Sequence, residues 1–267
     1  MKIGVCEKDL PFSLEENLNW IIENKFDGFQ TWPNKVKNPN EIKKICKEEG
    51  IIISAIGGGP NLVNPEKMKE TIEEFKKRVE LVILFETNII TAETKEKPDF
   101  LKDEEAWKWC VEIVSKICEI CGKNNVYLAI EPSGSCFIKD YFMWEKLSNL
   151  VNSDFLRVNY DPANILWAER DPVEGVYFLR ENIVHTHAKN IIFNNEELGY
   201  KEGESEISVR DVPADKGKVD YVEYIKALKK IGYKGFLTIE MHSKSGEDRR
   251  EEILQSKRYI EKILKEI

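Results

Sequence analysis

The chain lacks several features that would define its class at once. Its 267 residues contain no apolar run long enough to cross a membrane. It has no basic excess, because its formal net charge is −8 with both signs mixed in short stretches, which disfavours nucleic-acid and membrane partners. It also has no linker rich in Pro, Gly and Ser. We therefore expect a single domain over residues 1–267 that acts on a small molecule.

A disulfide framework and a secretory leader are also missing. The six cysteines are scattered through a long sequence instead of framing a small scaffold. The segment from Met1 enters a strand-like run without the charged, apolar and small-residue regions of a signal peptide. Both observations predict a reducing, cytoplasmic environment.

One alternation runs along the whole chain. A short apolar or β-branched run is followed each time by a longer segment of helical period, which is typical of βα units around a parallel sheet. Eight such units in about 250 residues suit a closed barrel, whereas a doubly wound open sheet usually has fewer strands. We predict a single (β/α)₈ TIM barrel of the α/β class. The predicted strands are residues 2–5, 28–31, 51–55, 88–91, 126–131, 156–160, 183–189 and 235–240.

Ionisable side chains lie at the ends of four neighbouring predicted strands. Glu131 ends the fifth, Asp161 follows the sixth, Glu240 ends the eighth, and His187 and Lys189 share one face of the seventh. The carboxyl ends of barrel strands form the working face, so these groups should meet there. Three buried carboxylates would repel each other without a cation. We expect one divalent ion, Mn²⁺ first and Co²⁺, Mg²⁺ or Zn²⁺ as alternatives, because the ligands are mostly oxygen.

Each of these residues also has a simpler structural interpretation. A carboxylate at a strand end often caps a helix or forms an ion pair. Lys189 either contacts a substrate or pairs with a ligand carboxylate. His185 lies one pleat deeper than His187 and is expected to be a hydrogen-bonded core residue, while His242 is expected at the rim. The ordered set of four, rather than any one member, favours the metal site.

Short motifs spread over nearly the whole chain carry a family resemblance. They are Ala129-Ile130-Glu131-Pro132, Asn159-Tyr160-Asp161-Pro162-Ala163-Asn164, His185-Thr186-His187-Ala188-Lys189, Gly217-Lys218-Val219-Asp220, Gly232-Tyr233-Lys234-Gly235 and Leu237-Thr238-Ile239-Glu240. With them the chain resembles the xylose isomerase-like barrel superfamily of sugar phosphate isomerases and epimerases. The resemblance implies that Glu131, Asp161, His187 and Glu240 bind the metal. It also implies that Glu131 and Glu240 are the catalytic acid/base pair.

The reaction implied by the resemblance is proton transfer next to a carbonyl of a sugar or sugar phosphate. A metal bound to the carbonyl oxygen would stabilise the enediolate. Glu131 and Glu240 would remove the proton and return it. Return to the other face of the same carbon epimerises the sugar, and return to the adjacent carbon isomerises it. Lys189 is expected to donate to the developing oxyanion.

Substrate-binding residues are predicted on the loops of the same face. Trp32 and Trp167 follow the second and sixth strands, where aromatic rings often line sugar pockets, although they could equally cap the core or an interface. The chain departs from the 3-epimerase pattern, because Asn164 replaces a second histidine and Phe193 replaces an arginine. Asn164 is expected to contact the substrate, and Arg210 could substitute for the missing arginine.

Three other functions fit parts of the sequence. A dehydratase of cyclic polyols such as inososes uses a similar metal and the same proton abstraction. A phosphodiesterase like the apurinic endonucleases gathers three zinc ions with about five histidines, whereas this chain has three histidines and an acidic charge. A sugar-binding barrel without turnover would not need both Glu131 and Glu240. The acidic segment 190–217 is a candidate lid, oligomer arm or insertion, and the number of subunits stays open.

Overall fold

A ring of parallel strands forms the centre of the molecule. In the computed structural model, which describes residues 1–193, 209–242 and 248–267, eight strands close into a barrel. The barrel strands are β1 (Lys2–Cys6), β2 (Gly28–Thr31), β3 (Ile52–Ile56), β4 (Ile89–Ala92), β5 (Tyr127–Ile130), β6 (Leu156–Tyr160), β7 (Ile183–Ala188) and β10 (Phe236–Ile239), and the strands β8 (Asn190–Phe193) and β9 (Val209–Val212) lie outside the ring. The ring order is β1-β10-β7-β6-β5-β4-β3-β2. The predicted (β/α)₈ TIM barrel is therefore confirmed.

Helices alternate with the barrel strands along the chain. They are α1 (Leu14–Glu23), α2 (Pro39–Glu49), α3 (Met68–Leu84), α4 (Asp103–Lys123), α5 (Tyr141–Val151), α6 (Pro162–Trp167), α7 (Pro172–Leu179), α8 (Tyr221–Lys230) and α9 (Arg250–Glu266). Ser13 and Glu16 form a capping box at the start of α1. Gly50, Asn152 and Gly232 have the positive φ angles expected of residues that terminate helices. Local sequence signals thus set the helix ends.

Two features differ from the sequence prediction. Helix α6 has only six residues, too few for a helical period to be read, and it begins immediately after Asp161. Strands β8 and β9 pair antiparallel outside the ring, with Asn190 opposite Val212 and Phe193 opposite Val209. The segment 190–217, predicted as a lid, arm or insertion, therefore contains an antiparallel ribbon formed by residues 190–193 and 209–212. Its residues 194–208 lie outside the described part of the chain.

The core is filled by aliphatic and aromatic side chains of the strands and the surrounding helices. Trp144, Tyr141 and Tyr160 are among the largest fully buried side chains. All six cysteines are buried free thiols, as expected for a chain without a disulfide framework. No helix within the described ranges is long and apolar enough to cross a membrane.

Gly28 lies where strand packing leaves no space for a side chain. A Cβ atom there would lie 2.2 Å from the backbone oxygen of Ile52 and 2.9 Å from the ring of Phe236. We expect Gly28→Ala to lower the free energy of unfolding by about 1–3 kcal/mol, because the backbone must shift. Urea unfolding measures this, with Glu48→Ala on the exposed face of α2 as the control. An unchanged urea midpoint for Gly28→Ala would contradict this expectation and show that the backbone can make room for a Cβ atom at little cost.

Candidate metal centre

The four side chains predicted as metal ligands lie together at the carboxyl ends of the strands. Glu131, Asp161 and Glu240 directly follow β5, β6 and β10, His187 lies within β7, and all four are buried. One ligand atom from each lies within 4.8 Å of the others. His187 Nδ1 is 3.3 Å from Glu131 Oε2, 3.8 Å from Asp161 Oδ2 and 3.4 Å from Glu240 Oε2. The predicted set therefore forms one cluster.

Asp161 has one oxygen that caps a helix and one oxygen that faces the cluster. Its Oδ1 accepts hydrogen bonds from the backbone amides of Ala163 and Asn164 at 2.8 and 3.1 Å, so it caps α6. Its Oδ2 is buried and accepts no hydrogen bond from the described residues, although Lys189 Nζ lies 2.9 Å away as an ion pair. A buried carboxylate oxygen that faces an imidazole and two carboxylates, and has a cationic group as its neighbour, suits a metal ligand. The residues present fit a divalent ion.

His187 is oriented by a partner behind it. Its Nε2 lies 3.1 Å from Oε1 of Gln30, whose own amide donates to Thr91 at 3.1 Å. With a hydrogen on Nε2 to donate to this carbonyl oxygen, Nδ1 is left to face the three carboxylates. Burial would lower the pKa of His187, but the charges of Glu240 and Glu131 raise it well above its usual range. A metal ion bound at Nδ1 would therefore replace a proton.

Glu131 is held by two neutral amides. Asn159 Nδ2 donates to Oε2 and Asn164 Nδ2 donates to Oε1, each at 2.6 Å. Burial raises the pKa of Glu131 and outweighs the opposing effect of His187. Asn164 was predicted to contact the substrate, and the structure places its amide on this carboxylate. Asn159 was not recognised from the sequence, because a polar residue within a strand shows no preferred partner.

Glu240 is held by two ammonium groups instead. Lys8 Nζ lies 2.9 Å from Oε1, and Lys189 Nζ lies 3.0 Å from Oε2. Burial would raise the pKa of Glu240, but the positive charges of His187, Lys8 and Lys189 outweigh it and hold the pKa well below its usual range. Neighbouring positive charges thus favour the ionised form of Glu240, whereas burial disfavours the ionised form of Glu131, so the two glutamates have different chemical environments.

A cavity opens above this cluster. Trp32 lines it, with its ring 4.7 Å from Lys8 Nζ, and its predicted substrate contact stays a prediction. Lys8 was missed by the sequence analysis, although it lies in the polar run that directly follows β1. His242 lies at the rim, half-exposed, with Nδ1 2.8 Å from Asp211 Oδ2. The residues around the cavity are Lys8, Gln30, Trp32, Gly58, Thr91, Ala92, Glu93, Lys95, Glu131, His187, Glu240 and His242.

Three other predicted residues lie away from the described cavity lining. Lys189 is buried and pairs with Asp161 and Glu240, so its predicted substrate contact stays a prediction. Trp167 lies against Gly134, where an added Cβ would come within 3.1 Å of its ring. His185 is a buried core residue, with Asn159, Ser54 and Thr238 as hydrogen-bond partners at 2.8, 3.2 and 3.1 Å.

Comparison with known proteins places this geometry in a family. A family model described as the xylose isomerase-like TIM barrel matches residues 18–263. The chain belongs to this family. Among solved structures, this xylose isomerase-like barrel is similar to the IolI protein with a bound zinc atom, with a TM-score of 0.83 at 17% identity, covering 100% of this chain and 99% of that one. That likeness shows the shared fold.

Two curated relatives of this xylose isomerase-like barrel have different activities. The proposed L-ribulose-5-phosphate 3-epimerase of Haemophilus influenzae is 24% identical, covering 97% of this chain and 95% of that protein. The 3-dehydroshikimate dehydratase of Bacillus anthracis is 26% identical, covering 72% of this chain and 72% of that protein. The chain is therefore similar to enzymes of two reaction types, and at these identities the family alone does not choose between them.

Proposed function

We propose that this barrel is a metal-dependent isomerase or epimerase of a small sugar or sugar phosphate. The observation that carries the proposal is the convergence of Glu131 and Glu240 on His187, at 3.3 and 3.4 Å. The two glutamates follow β5 and β10, which are separated in the ring by β6 and β7, so they approach from different directions. Such a pair suits proton removal on one side of a carbon and proton return on the other. The relative assigned to ribulose-phosphate epimerisation supports the same chemistry.

We assign each of these residues a role in the reaction from its surroundings. Glu131, Asp161, His187 and Glu240 would hold a divalent ion, with Mn²⁺ our first expectation, and such an ion supplies Lewis-acid polarisation of a substrate carbonyl. Glu240, kept ionised by its lysine partners, is suited to accept the proton. Glu131, whose pKa is raised by burial, is suited to hold the proton that is delivered. Trp32 offers an apolar face against which a sugar ring can pack.

A dehydratase is the second candidate. Lys8 Nζ and His242 Nε2 lie 3.5 Å apart at the rim, beside Glu240, so donors are available for a departing hydroxyl group. The 3-dehydroshikimate dehydratase relative supports this alternative. Dehydration and epimerisation share the removal of a proton next to a carbonyl, and they differ in whether a hydroxyl leaves.

Deuterium exchange in heavy water tests both candidates. The protein loaded with Mn²⁺ or Co²⁺ is mixed with ketoses, ketose phosphates and cyclic keto-polyols, with metal-free protein as the control. We expect deuterium next to the carbonyl together with an inverted or isomerised product in the NMR spectrum. Loss of water in the mass spectrum would assign the dehydratase instead. A panel in which no compound exchanges would overturn the proposed enzyme and favour the sugar-binding barrel.

A further inference from the structure

Cys6 ends β1 beside the proposed metal centre and has no part in the proposed reaction. Its side chain is fully buried. Its sulfur, a ring nitrogen of His187 and a carboxylate oxygen of Glu240 lie within 4.8 Å of one another. The register explains the proximity. Val5 of β1 pairs with Ile239 of β10, and the residues that come next in the chain are Cys6 and Glu240. Barrel closure therefore brings a thiol to the edge of the oxygen-rich cluster.

Most buried thiols are hydrophobic packing residues, and five cysteines of this chain fit that description. Cys110, Cys118 and Cys121 lie on the buried face of α4, for example. Across residues 1–193, 209–242 and 248–267, Cys6 is the cysteine that belongs to a group of three metal-ligating side chains. Asp161 Oδ2 is buried and accepts no hydrogen bond from the described residues, with the Lys189 ammonium 2.9 Å away as an ion pair, and it is a second sign that this cluster is built to receive a cation.

We propose that Cys6 is an additional ligand of the divalent ion, used when the ion is thiophilic. The inference rests on the proposed metal centre. His187 and Glu240 belong to two overlapping donor sets, one completed by the oxygens of Glu131 and Asp161, and one completed by the sulfur of Cys6. Thiolate ligands favour Zn²⁺ and Co²⁺, whereas carboxylates suit Mn²⁺ and Mg²⁺. On coordination the thiol proton leaves to solvent, a sulfur lone pair forms the bond, and no group is oxidised or reduced.

With these two donor sets, different ions are expected to bind through different ligands. An ion bound through the carboxylate set leaves Cys6 as a packing residue. An ion bound through sulfur lies nearer β1, because Cys6 and Glu240 end adjacent strands while Glu131 ends a strand on the far side of the cluster. The wild-type protein should therefore bind Zn²⁺ and Mn²⁺ with different ligands.

X-ray absorption at the zinc edge tests the proposal on the wild-type chain. We expect a sulfur scatterer at about 2.3 Å beside nitrogen and oxygen scatterers at about 2.0–2.2 Å. The sulfur signal should disappear in Cys6→Ser and persist in Cys46→Ser, a matched buried cysteine in α2. Cobalt-loaded wild type should likewise show a thiolate-to-metal charge-transfer band that Cys6→Ser lacks. In competition titrations, Cys6→Ser should weaken Zn²⁺ binding by about tenfold or more, since even groups behind a ligand contribute that much.

The outcomes separate this inference from the proposed function. Zinc bound with nitrogen and oxygen scatterers alone would overturn the role of Cys6 and leave the four-residue centre standing. A folded wild-type protein that takes up no Zn²⁺, Co²⁺ or Mn²⁺ would overturn both. The presence or absence of a sulfur scatterer in the wild-type spectrum tests the role of Cys6 even if Cys6→Ser does not fold.

Discussion

Replacing Glu240 with glutamine is expected to lower kcat of the metal-loaded protein by about 10³-fold, within the usual range for loss of an acid–base group. Glutamine is close to glutamate in size, and its one oxygen can still accept from either Lys8 or Lys189, which lie 2.9 and 3.0 Å from the two carboxylate oxygens. It cannot take a proton from carbon. Steady-state kinetics with the substrate found by deuterium exchange measures the loss. Glu131→Gln should show a loss of similar size.

Two controls distinguish lost chemistry from lost metal or lost folding. Glu181→Gln makes the same replacement on an exposed residue just before β7, far from the cluster in the barrel, and should keep its turnover. Metal content is measured on each variant, and kinetics are compared at saturating metal. A fully loaded Glu240→Gln or Glu131→Gln protein with turnover within about tenfold of wild type would contradict the proposed acid/base pair.

Elemental analysis of the purified protein is expected to find about one divalent ion per chain, and His187→Ala and Asp161→Ala are expected to lose it. Bound metal should also stabilise the fold, by about 2.7 kcal/mol when the free ion is at about 100 times its Kd. The melting temperature should therefore rise with added Mn²⁺, fall back with chelator, and stay constant in the variants.

Asp161 needs a more careful substitution, because it also caps α6 through Ala163 and Asn164. Asp161→Ala removes a helix cap worth about 1 kcal/mol in addition to the ligand. Asp161→Asn retains an oxygen acceptor for those amides but lacks the negative charge. We expect Asp161→Asn to melt like the metal-free wild type and to gain little from Mn²⁺.

No bound metal after reloading of wild type would remove the mechanism while leaving the barrel, and about three zinc ions per chain would favour the phosphodiesterase.

The architecture could be predicted from the sequence because each βα unit carries its own signal. Apolar runs, helical periods and local caps such as Ser13 are properties of neighbouring residues. The four clustered side chains could be located for a related reason. Glu131, Asp161 and Glu240 directly follow barrel strands, and closure of a barrel brings all strand ends to one face.

The residues that hold the cluster could not be predicted, because their roles depend on contacts between strands that are far apart in the sequence. Gln30 meets His187, 157 positions away in the chain, and Asn159 reaches back to Glu131. Lys8 follows a strand as clearly as Glu131 does, but a lysine in a polar run is usually solvated. The ribbon of β8 and β9 was missed since four-residue strands show too little alternation.

The turn between β6 and α6 has a consequence for how such a barrel can change its specificity. Asp161 caps the helix with one oxygen and faces the cluster with the other, and Asn164, one turn later, holds the carboxylate of Glu131. The proposed metal ligand, the start of α6 and the amide that holds the proposed proton donor thus all lie within the four residues from Asp161 to Asn164. An insertion here would disturb all three together. New substrates are therefore expected to be accommodated by the segment after β2, where Trp32 lines the cavity and can be exchanged without altering those four residues or the lysine partners of Glu240.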